Sequence, residues 1–189
     1  EAAVDLGRTG REAIPLLLRT LGDADWRVRK TAVEALIALG GDDVIQGLIQ
    51  RLSAHDNAGA RNSAIEALVH LGGGAVDALL SVLGTPDVDV RKFIVDILGD
   101  IGDAGAVPAL IGKLDDPDEN IRVAAAESLG KIRDRRAVEP LIACLTRCDQ
   151  SWLDSAAAES LGEIGDERAL GPLIAALGRS SLPEPVLES

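Results

Sequence analysis

A repeat of about 31 residues is the feature that most limits how this chain can fold. Leu52, Leu83, Leu114 and Leu145 follow one another at intervals of 31 residues, and Leu177 follows 32 residues later. Such a period is typical of proteins in which one small structural unit recurs and stacks on its neighbours. The 189 residues therefore predict about six units in tandem.

Each unit contains two apolar patterns with the spacing of α-helices. One copy of the first pattern is Val90, Ile94, Ile97, Leu98 and Ile101. One copy of the second is Val76, Leu79, Leu80 and Leu83. Offsets of three, four and seven place such residues on one face of a helix. Each unit is therefore predicted to be a first helix, a turn and a second helix.

Glycine recurs where the first helix of a unit should end. Gly40, Gly72, Gly102 and Gly165 occupy this place, and Arg133 replaces the glycine in the fifth unit. Glycine adopts the left-handed conformation of a helix C-terminus at the lowest cost. We expect the turn at Arg133 to differ in shape, with both of its helices retained.

The predicted fold is all-α, an α-solenoid (superhelix) of about six stacked helix-turn-helix units. The repeat domain covers residues 1–178, with an incomplete unit at 1–22 and units at 23–52, 53–83, 84–114, 115–145 and 146–177. Residues 1–6 match the end of a first helix, so a turn is expected before the second helix near Ile14. Residues 179–189 are expected to be a tail or the start of a truncated further repeat.

Composition excludes several classes of function. The formal net charge is −12, which repels nucleic acid and anionic membrane surfaces. The chain shows neither an apolar run of about 18 residues nor the layout of a secretion signal, so we expect no membrane insertion. Two cysteines, Cys144 and Cys148, are too few to stabilise a chain of this length by disulfide bonds and are expected to be reduced thiols. We expect a cytoplasmic protein.

Several segments carry a family resemblance. Residues 87–91 (DVDVR), 98–103 (LGDIGD) and 106–111 (AVPALI), together with their copies one unit later, resemble HEAT repeats of the type found in phycobilisome (bilin) lyases. The resemblance covers nearly the whole chain. It implies the stacked helical fold, but not one activity, because a fold of this kind supports many functions.

Two polar columns run through the repeat. Arg29, Arg61, Arg91 and Arg122 form one column, and Asp25, Asn57, Asp87 and Asp118 precede them by four residues. We expect a structural ladder in which the arginines bond carboxylates of the inter-repeat loops and fix the spacing of the repeats. Replacing Arg91 with alanine should then lower the unfolding midpoint. A row of arginines that binds anions is the alternative.

Candidate partner-binding residues lie on the second helices, opposite their buried stripe, where a solenoid presents its concave side. They are Leu16, Arg19, Gln46, Gln50, Arg51, Asp77, Ser81, Lys113 and Glu139. Trp26 and Trp152, near the starts of first helices, either cover helix ends or anchor an interface.

We find no catalytic, metal-binding or cofactor-binding pattern. His55 and His70 lie 15 residues apart without a second histidine or a cysteine at ligand spacing. The HEAT-repeat deoxyhypusine hydroxylases, which this fold also resembles, hold iron through His-Glu pairs. Here Asp56 follows His55 and Leu71 follows His70, so the resemblance does not extend to that activity.

The sequence therefore predicts a non-enzymatic scaffold that binds a protein partner, either a helix or an extended segment, on a concave helical surface. The enzymatic alternative is a bilin lyase-like subunit that handles a chromophore, which the resemblance implies and which would bind a bilin. A third interpretation is a regulatory segment of a larger signalling or transport protein.

Overall fold

The computed structural model describes residues 2–147 and 151–180, and every regular element in these residues is helical. The α-helices are α1 (Ala2–Thr20), α2 (Trp26–Leu39), α3 (Asp42–Arg51), α4 (Ala58–Leu71), α5 (Val76–Val82), α6 (Val88–Ile101), α7 (Val107–Lys113), α8 (Glu119–Ile132), α9 (Val138–Arg147), α10 (Ser151–Ile164) and α11 (Leu170–Ser180). Short 3₁₀ helices precede most of the second helices, at Gly72–Ala75, Ala104–Ala106, Arg135–Ala137 and Glu167–Ala169. Cys148 and residues 181–189 lie outside the described residues.

The helices form two compact units, residues 1–106 and 107–189. In the first unit, α2 packs against α4 and α4 against α6, while α1 packs against α3 and α3 against α5. In the second unit, α8 packs against α10 and α9 against α11. First helices thus contact first helices and second helices contact second helices, which confirms the all-α, tandem-repeat fold of the α-solenoid class.

The core of each unit consists of the aliphatic stripes that the periodicity identified. Leu36, Leu48, Leu68 and Leu79 are fully buried in the first unit, as are Leu110 and Leu129 in the second. Burying each such side chain contributes roughly 1.5–3 kcal/mol, and this term stabilises the contact between consecutive repeats.

The N-terminal helix differs from the expectation. We expected residues 1–6 to end a first helix, yet α1 runs without a turn from Ala2 to Thr20 and includes Pro15. Glycine in a helix costs only about 1 kcal/mol relative to alanine, so Gly7 and Gly10 weaken the helix without ending it. The incomplete first unit is therefore a single long helix.

The backbone conformation of the turns after the first helices shows where glycine is required. Gly40 and Gly72 have φ, ψ of 58°, −166° and 59°, −137°, a region that is essentially restricted to glycine. Gly102 lies instead in the left-handed helical region, and Arg133 adopts nearly the same conformation, with φ 57° and ψ 31°. The turn at Arg133, which we expected to differ in shape, therefore matches the turn at Gly102 and differs from those at Gly40 and Gly72.

One stretch, Ala58–Val82, is long and apolar enough by length and composition to cross a membrane, with a mean hydropathy of 1.4. This stretch was not expected from the sequence. Within this stretch, α4 ends at Gly72 and a 3₁₀ turn precedes α5. Because α4 packs against α2, α3 and α6, its apolar face is the one that stacks the repeats.

Close approach between repeats depends on small residues. A Cβ placed on Gly130 of α8 would lie 2.7 Å from Oγ and 2.9 Å from Cα of Ser160 in α10. Ser160 also donates a hydrogen bond from Oγ to the carbonyl of Ala126, at 2.8 Å. Gly162 lies 32 residues after Gly130, and in the described part of the chain nothing lies within 4 Å of the same position.

This pair of glycines gives a matched test. Gly130→Ala should lower the free energy of unfolding by roughly 1–3 kcal/mol, because the backbone at Ser160 must move away. Gly162→Ala should raise it by up to about 1 kcal/mol, because alanine favours the helix and meets no neighbour. Urea denaturation of both variants measures the two values. Equal shifts would show that contact with Ser160 does not set the helix spacing.

Candidate functional site

The first unit has a groove between α1 and α3. It has a volume of about 500 Å³. Its lining consists of Arg11, Ile14, Pro15 and Leu18 from α1 and Asp43, Gln46, Gly47, Gln50 and Arg51 from α3. The floor is therefore aliphatic, and the rim carries amide, guanidinium and carboxylate groups.

A second cleft of about 430 Å³ adjoins this groove. The two share Arg11, Ile14 and Asp43, and the second continues to Leu39 and the Gly40–Gly41 turn. The groove therefore extends along α1 as far as the turn between α2 and α3. We call the two clefts together the α1–α3 groove.

Gly47 lies at the contact between α1 and α3. A Cβ at this position would overlap the terminal methyl groups of Leu18, so glycine leaves room for the observed position of that side chain. Ile14 and Ile45 are buried on either side of this contact. The groove lies above the line where the two helices meet, and Leu18 forms part of its floor.

Of the predicted partner-binding residues, Gln46, Gln50 and Arg51 line this groove. Leu16 is 56% exposed and Arg19 is exposed, but neither belongs to the lining. Asp77 and Ser81 are exposed on α5 of the same unit.

The two predicted residues of the second unit form ion pairs within the chain. Lys113 Nζ lies 3.2 Å from Asp116 Oδ2, and its side chain is mostly buried. Glu139 is exposed, and its Oε1 lies 3.3 Å from Arg168 Nη1. The structure therefore brings together three of the nine predicted second-helix residues, all of them from α3.

Four residues of the lining were not predicted from the sequence: Arg11, Pro15, Leu18 and Asp43. The repeat itself held a signal for one of them, because 31 residues separate Pro15 from Gln46. Applying the period strictly would have selected Pro15 in place of Leu16. The other three residues lie on the sides of the helices that face one another, which a single-helix projection does not reveal.

Trp26 and Trp152 lie at the starts of α2 and α10, and both are exposed. Trp26 contacts the guanidinium of Arg27, which lies 5.3 Å from the ring centroid. Trp26 also borders a cleft of about 370 Å³ between α2 and α4, together with Lys30 and Asn62. Trp152 is 73% exposed.

The four arginines of the column donate hydrogen bonds to backbone carbonyls. The contacts run from Arg29 Nη1 to the carbonyls of Asp23 (2.8 Å) and Ala24 (3.1 Å), from Arg61 Nη1 to Ala54 (3.4 Å), from Arg91 Nη1 to Thr85 (2.7 Å), and from Arg122 Nη1 to Asp116 (2.7 Å) and Pro117 (3.0 Å). Each guanidinium thus ties the start of a first helix to the loop that leads into it. The Arg61 guanidinium also lies 5.1 Å from the ring centroid of Phe93 in the next first helix.

The expected bonds to loop carboxylates are therefore wrong for Arg29 and Arg61. The physical reason is that the second column serves as helix N-caps. Asp25, Asn57, Asp87 and Asp118 accept backbone N–H groups at the starts of α2, α4, α6 and α8. A short side chain at the N-cap position reaches the backbone N–H groups of its own helix more readily than it reaches the guanidinium of the arginine four residues later.

Two of the caps also connect consecutive inter-repeat loops. Asn57 Nδ2 donates to the carbonyl of Gly22 at 3.1 Å. His55 Nε2 lies 3.1 Å from Asp87 Oδ2. The pKa of Asp87 is lowered, first because Val90 donates its backbone N–H and further because His55 lies beside the carboxylate. These contacts give the loops of the first unit a fixed spacing.

A related motif holds the turns of the second unit. The carboxylates of Asp134 and Asp166 accept hydrogen bonds from the side chains and backbone N–H groups of Arg136 and Arg168, and these bonds lower the pKa of each carboxyl to about 2. Arg168 also donates to the carbonyl of Arg135, 33 residues earlier, at 3.4 Å. Consecutive turns are thereby linked through charged hydrogen bonds.

Among the residues that the structure describes, no three His, Cys, Asp or Glu side chains are placed to hold one metal ion. His70 Nδ1 lies 2.9 Å from the carbonyl of Glu66 in its own helix, and His55 contacts Asp87. Cys144 is a buried cysteine. The groups assembled in the α1–α3 groove can form hydrogen bonds, ion pairs and apolar contacts with a bound chain.

Tandem helix pairs, capped first helices and short glycine turns define a helical repeat protein. A model of HEAT repeats matches residues 1–69 and 76–160. A model of the PBS lyase HEAT-like repeat matches residues 155–179. The chain belongs to the HEAT repeat family, as its sequence predicted.

Several solved structures share this fold. A designed armadillo repeat protein in complex with the peptide (KR)4 is 20% identical, with a TM-score of 0.51 over 88% of this chain and 89% of that one. Human deoxyhypusine hydroxylase in complex with glycerol is 22% identical, with a TM-score of 0.50 over 84% and 76%. The complex of CpcE and CpcF of phycocyanin lyase from Nostoc is 23% identical, with a TM-score of 0.43 over 94% and 80%. No curated protein sequence is significantly similar to this chain.

The arginine column makes a prediction about stability. Arg91→Ala removes a charged donor from the carbonyl of Thr85, and such bonds contribute about 1.5–3 kcal/mol. We expect a loss of that order in the free energy of unfolding, measured by urea denaturation. Arg19→Ala, at an exposed arginine, is the control and should change it by less than about 0.5 kcal/mol. Similar values for the two variants would contradict the anchoring role.

Proposed function

We propose that this protein is a non-enzymatic scaffold that binds a segment of a protein partner in the α1–α3 groove. The observation that supports this proposal is the groove itself, an aliphatic floor edged by hydrogen-bonding side chains. Concave sites of a few hundred Å³ with an apolar lining and a few polar groups are typical of binding sites. Repeat architectures also offer extended surfaces of this kind.

Hydrogen bonding along the groove suits a peptide backbone. Gln46 and Gln50 lie four residues apart on α3, so their side chains occupy neighbouring positions along one face. A carboxamide both donates and accepts, as a peptide group does. An extended segment lying along α3 would pair with both amides while one of its apolar side chains rests on Ile14 and Leu18.

Charge selects among such segments. In the larger cleft, Arg11 and Arg51 face one carboxylate, from Asp43. The adjoining cleft adds a second carboxylate, from Asp42. The designed armadillo protein of the same fold carries a basic peptide, (KR)4. The larger cleft favours a segment with an acidic side chain beside its apolar residue, because arginine pairs with carboxylates through two parallel hydrogen bonds.

Peptides selected from a displayed random library against the whole chain test the proposal. Their Kd should rise at least tenfold, about 1.4 kcal/mol, for the triple variant Gln46→Ala, Gln50→Ala, Arg51→Ala. The control variant carries Glu127→Ala, Glu159→Ala and Glu163→Ala, three exposed positions of the second unit. Peptides that bind the groove variant as tightly as the unmodified chain would refute the proposal.

The bilin lyase-like alternative has one observation in its favour, the match of residues 155–179 to the PBS lyase HEAT-like repeat. That match covers a single repeat. The scaffold proposal predicts that the absorption spectrum of an added bilin remains unchanged when the protein is present in excess. Shifted and sharpened bands would favour the chromophore-handling function instead.

A further inference from the structure

The cleft between α2 and α4 lies on different helices from the α1–α3 groove. Its volume of about 370 Å³ falls within the range of small-ligand sites, roughly 300–1,000 Å³. Its lining consists of Trp26, Arg29 and Lys30 from α2 and Gly59, Asn62, Ser63 and Glu66 from α4. We call it the α2–α4 cleft.

The cleft contains a mostly buried hydroxyl group. Ser63 is only 7% exposed, and its Oγ forms no hydrogen bond with any residue that the structure describes. A serine hydroxyl can donate one hydrogen bond and accept others. Because Ser63 lines the cleft, a ligand that carries a polar atom can bond to it without breaking a bond inside the protein.

The next pair of first helices shows which group fits beside an arginine of the column. The guanidinium of Arg61 in α4 lies 5.1 Å from the ring centroid of Phe93 in α6. Phe93 follows Arg91 by two residues, and Ser63 follows Arg61 by two residues. Ser63 therefore holds in α4, opposite Arg29, the repeat position that the phenyl ring holds in α6.

The stacking of first helices does not require a ring at this position. Ala124 and Ala156 hold it in α8 and α10, and both are buried. What differs in α4 is that the residue one turn earlier, Gly59, has no side chain. A Cβ on Gly59 would lie 3.3 Å from Nε of Arg29. Gly59 and Ser63 together leave space beside the Arg29 side chain.

Arg29 is held in place within the chain. Its Nη1 donates to the carbonyls of Asp23 and Ala24, at 2.8 and 3.1 Å. A guanidinium attracts the face of an aromatic ring, and one that is already fixed loses little conformational freedom on binding. Trp26, which is 56% exposed, adds an aromatic surface to the same cleft.

We propose that the α2–α4 cleft binds the side chain of a tyrosine from a partner protein. The ring packs against Arg29 and Trp26, and the phenolic hydroxyl bonds to Ser63. Lys30 and Glu66 are both exposed and carry opposite charges, which favours a neutral ligand. The 189 residues contain no tyrosine, so neither this chain nor a second copy of it supplies the ligand.

Binding of short peptides to the whole chain tests this proposal. The probe is the acetylated and amidated tripeptide Gly-Tyr-Gly, compared with the same peptide carrying phenylalanine or leucine in place of tyrosine. The chain has two tryptophans, so its nitrogen–proton correlation spectrum contains two indole N–H signals, which Trp152→Phe assigns. The tyrosine peptide should shift the Trp26 signal saturably and leave the Trp152 signal in place.

The other two peptides measure what the ring and the hydroxyl each contribute. The phenylalanine peptide should bind with a Kd roughly threefold to tenfold higher, because it lacks one neutral hydrogen bond. The leucine peptide should give no saturable shift, because it lacks the ring.

Variants of the protein locate the site. Ser63→Ala should raise the Kd of the tyrosine peptide to that of the phenylalanine peptide, and alanine at this position is compatible with the fold in α8 and α10. Ser63→Phe places a ring of the chain's own beside Arg29, as Phe93 lies beside Arg61, and should abolish the shift. Ser53→Ala, at an exposed serine outside the cleft, is the control and should leave the Kd unchanged.

Three results would overturn the proposal. The first is a Trp26 signal that does not shift saturably with the tyrosine peptide. The second is an equal Kd of the unmodified chain for the tyrosine and phenylalanine peptides. The third is a Trp26 shift in Ser63→Phe as large as in the unmodified chain, because the peptide would then bind Trp26 outside the cleft.

Discussion

The structure depends on how closely neighbouring helices can approach where one of them carries glycine. Gly47 lets Leu18 lie against the backbone of α3, and Gly130 lets the backbone at Ser160 lie against α8. Aliphatic side chains supply most of the favourable energy of stacking. The small residues affect how closely the stacked helices can approach. The α1–α3 groove is a consequence, because its floor is the seam that Gly47 allows.

Polar groups fix the arrangement of the loops, which the aliphatic contacts between helices do not determine. The first helices α2, α4, α6 and α8 begin with a cap, and the arginine four residues later holds a carbonyl of the loop before it. In the first unit, Asn57 joins its loop to the preceding one through Gly22. In the second, Arg168 joins turns through the carbonyl of Arg135. Stacking positions the helices, and these bonds determine how the loops at their ends are arranged.

The side chains on the surface, more than the fold, decide which functions this chain can support. This fold is shared with one structure whose name indicates catalysis and with one that holds a peptide. The described residues present amides, guanidiniums, carboxylates and aliphatic side chains in one groove of the first unit. The proposed function rests on these groups and not on the fold.

The sequence by itself determined the helices from α2 onward, their order and the residues of the core, because the 31-residue period and the 3.6-residue helical periodicity are both local patterns. It also located the glycines after first helices and the two polar columns. It could not determine the partners of those columns, since the choice between a carboxylate and a backbone carbonyl depends on the path of the loop around Arg29 and Arg61. Nor could it identify Arg11, Leu18 and Asp43 as groove residues. Those side chains share a surface only because α1 and α3 lie side by side, and only tertiary packing determines which faces of two helices meet.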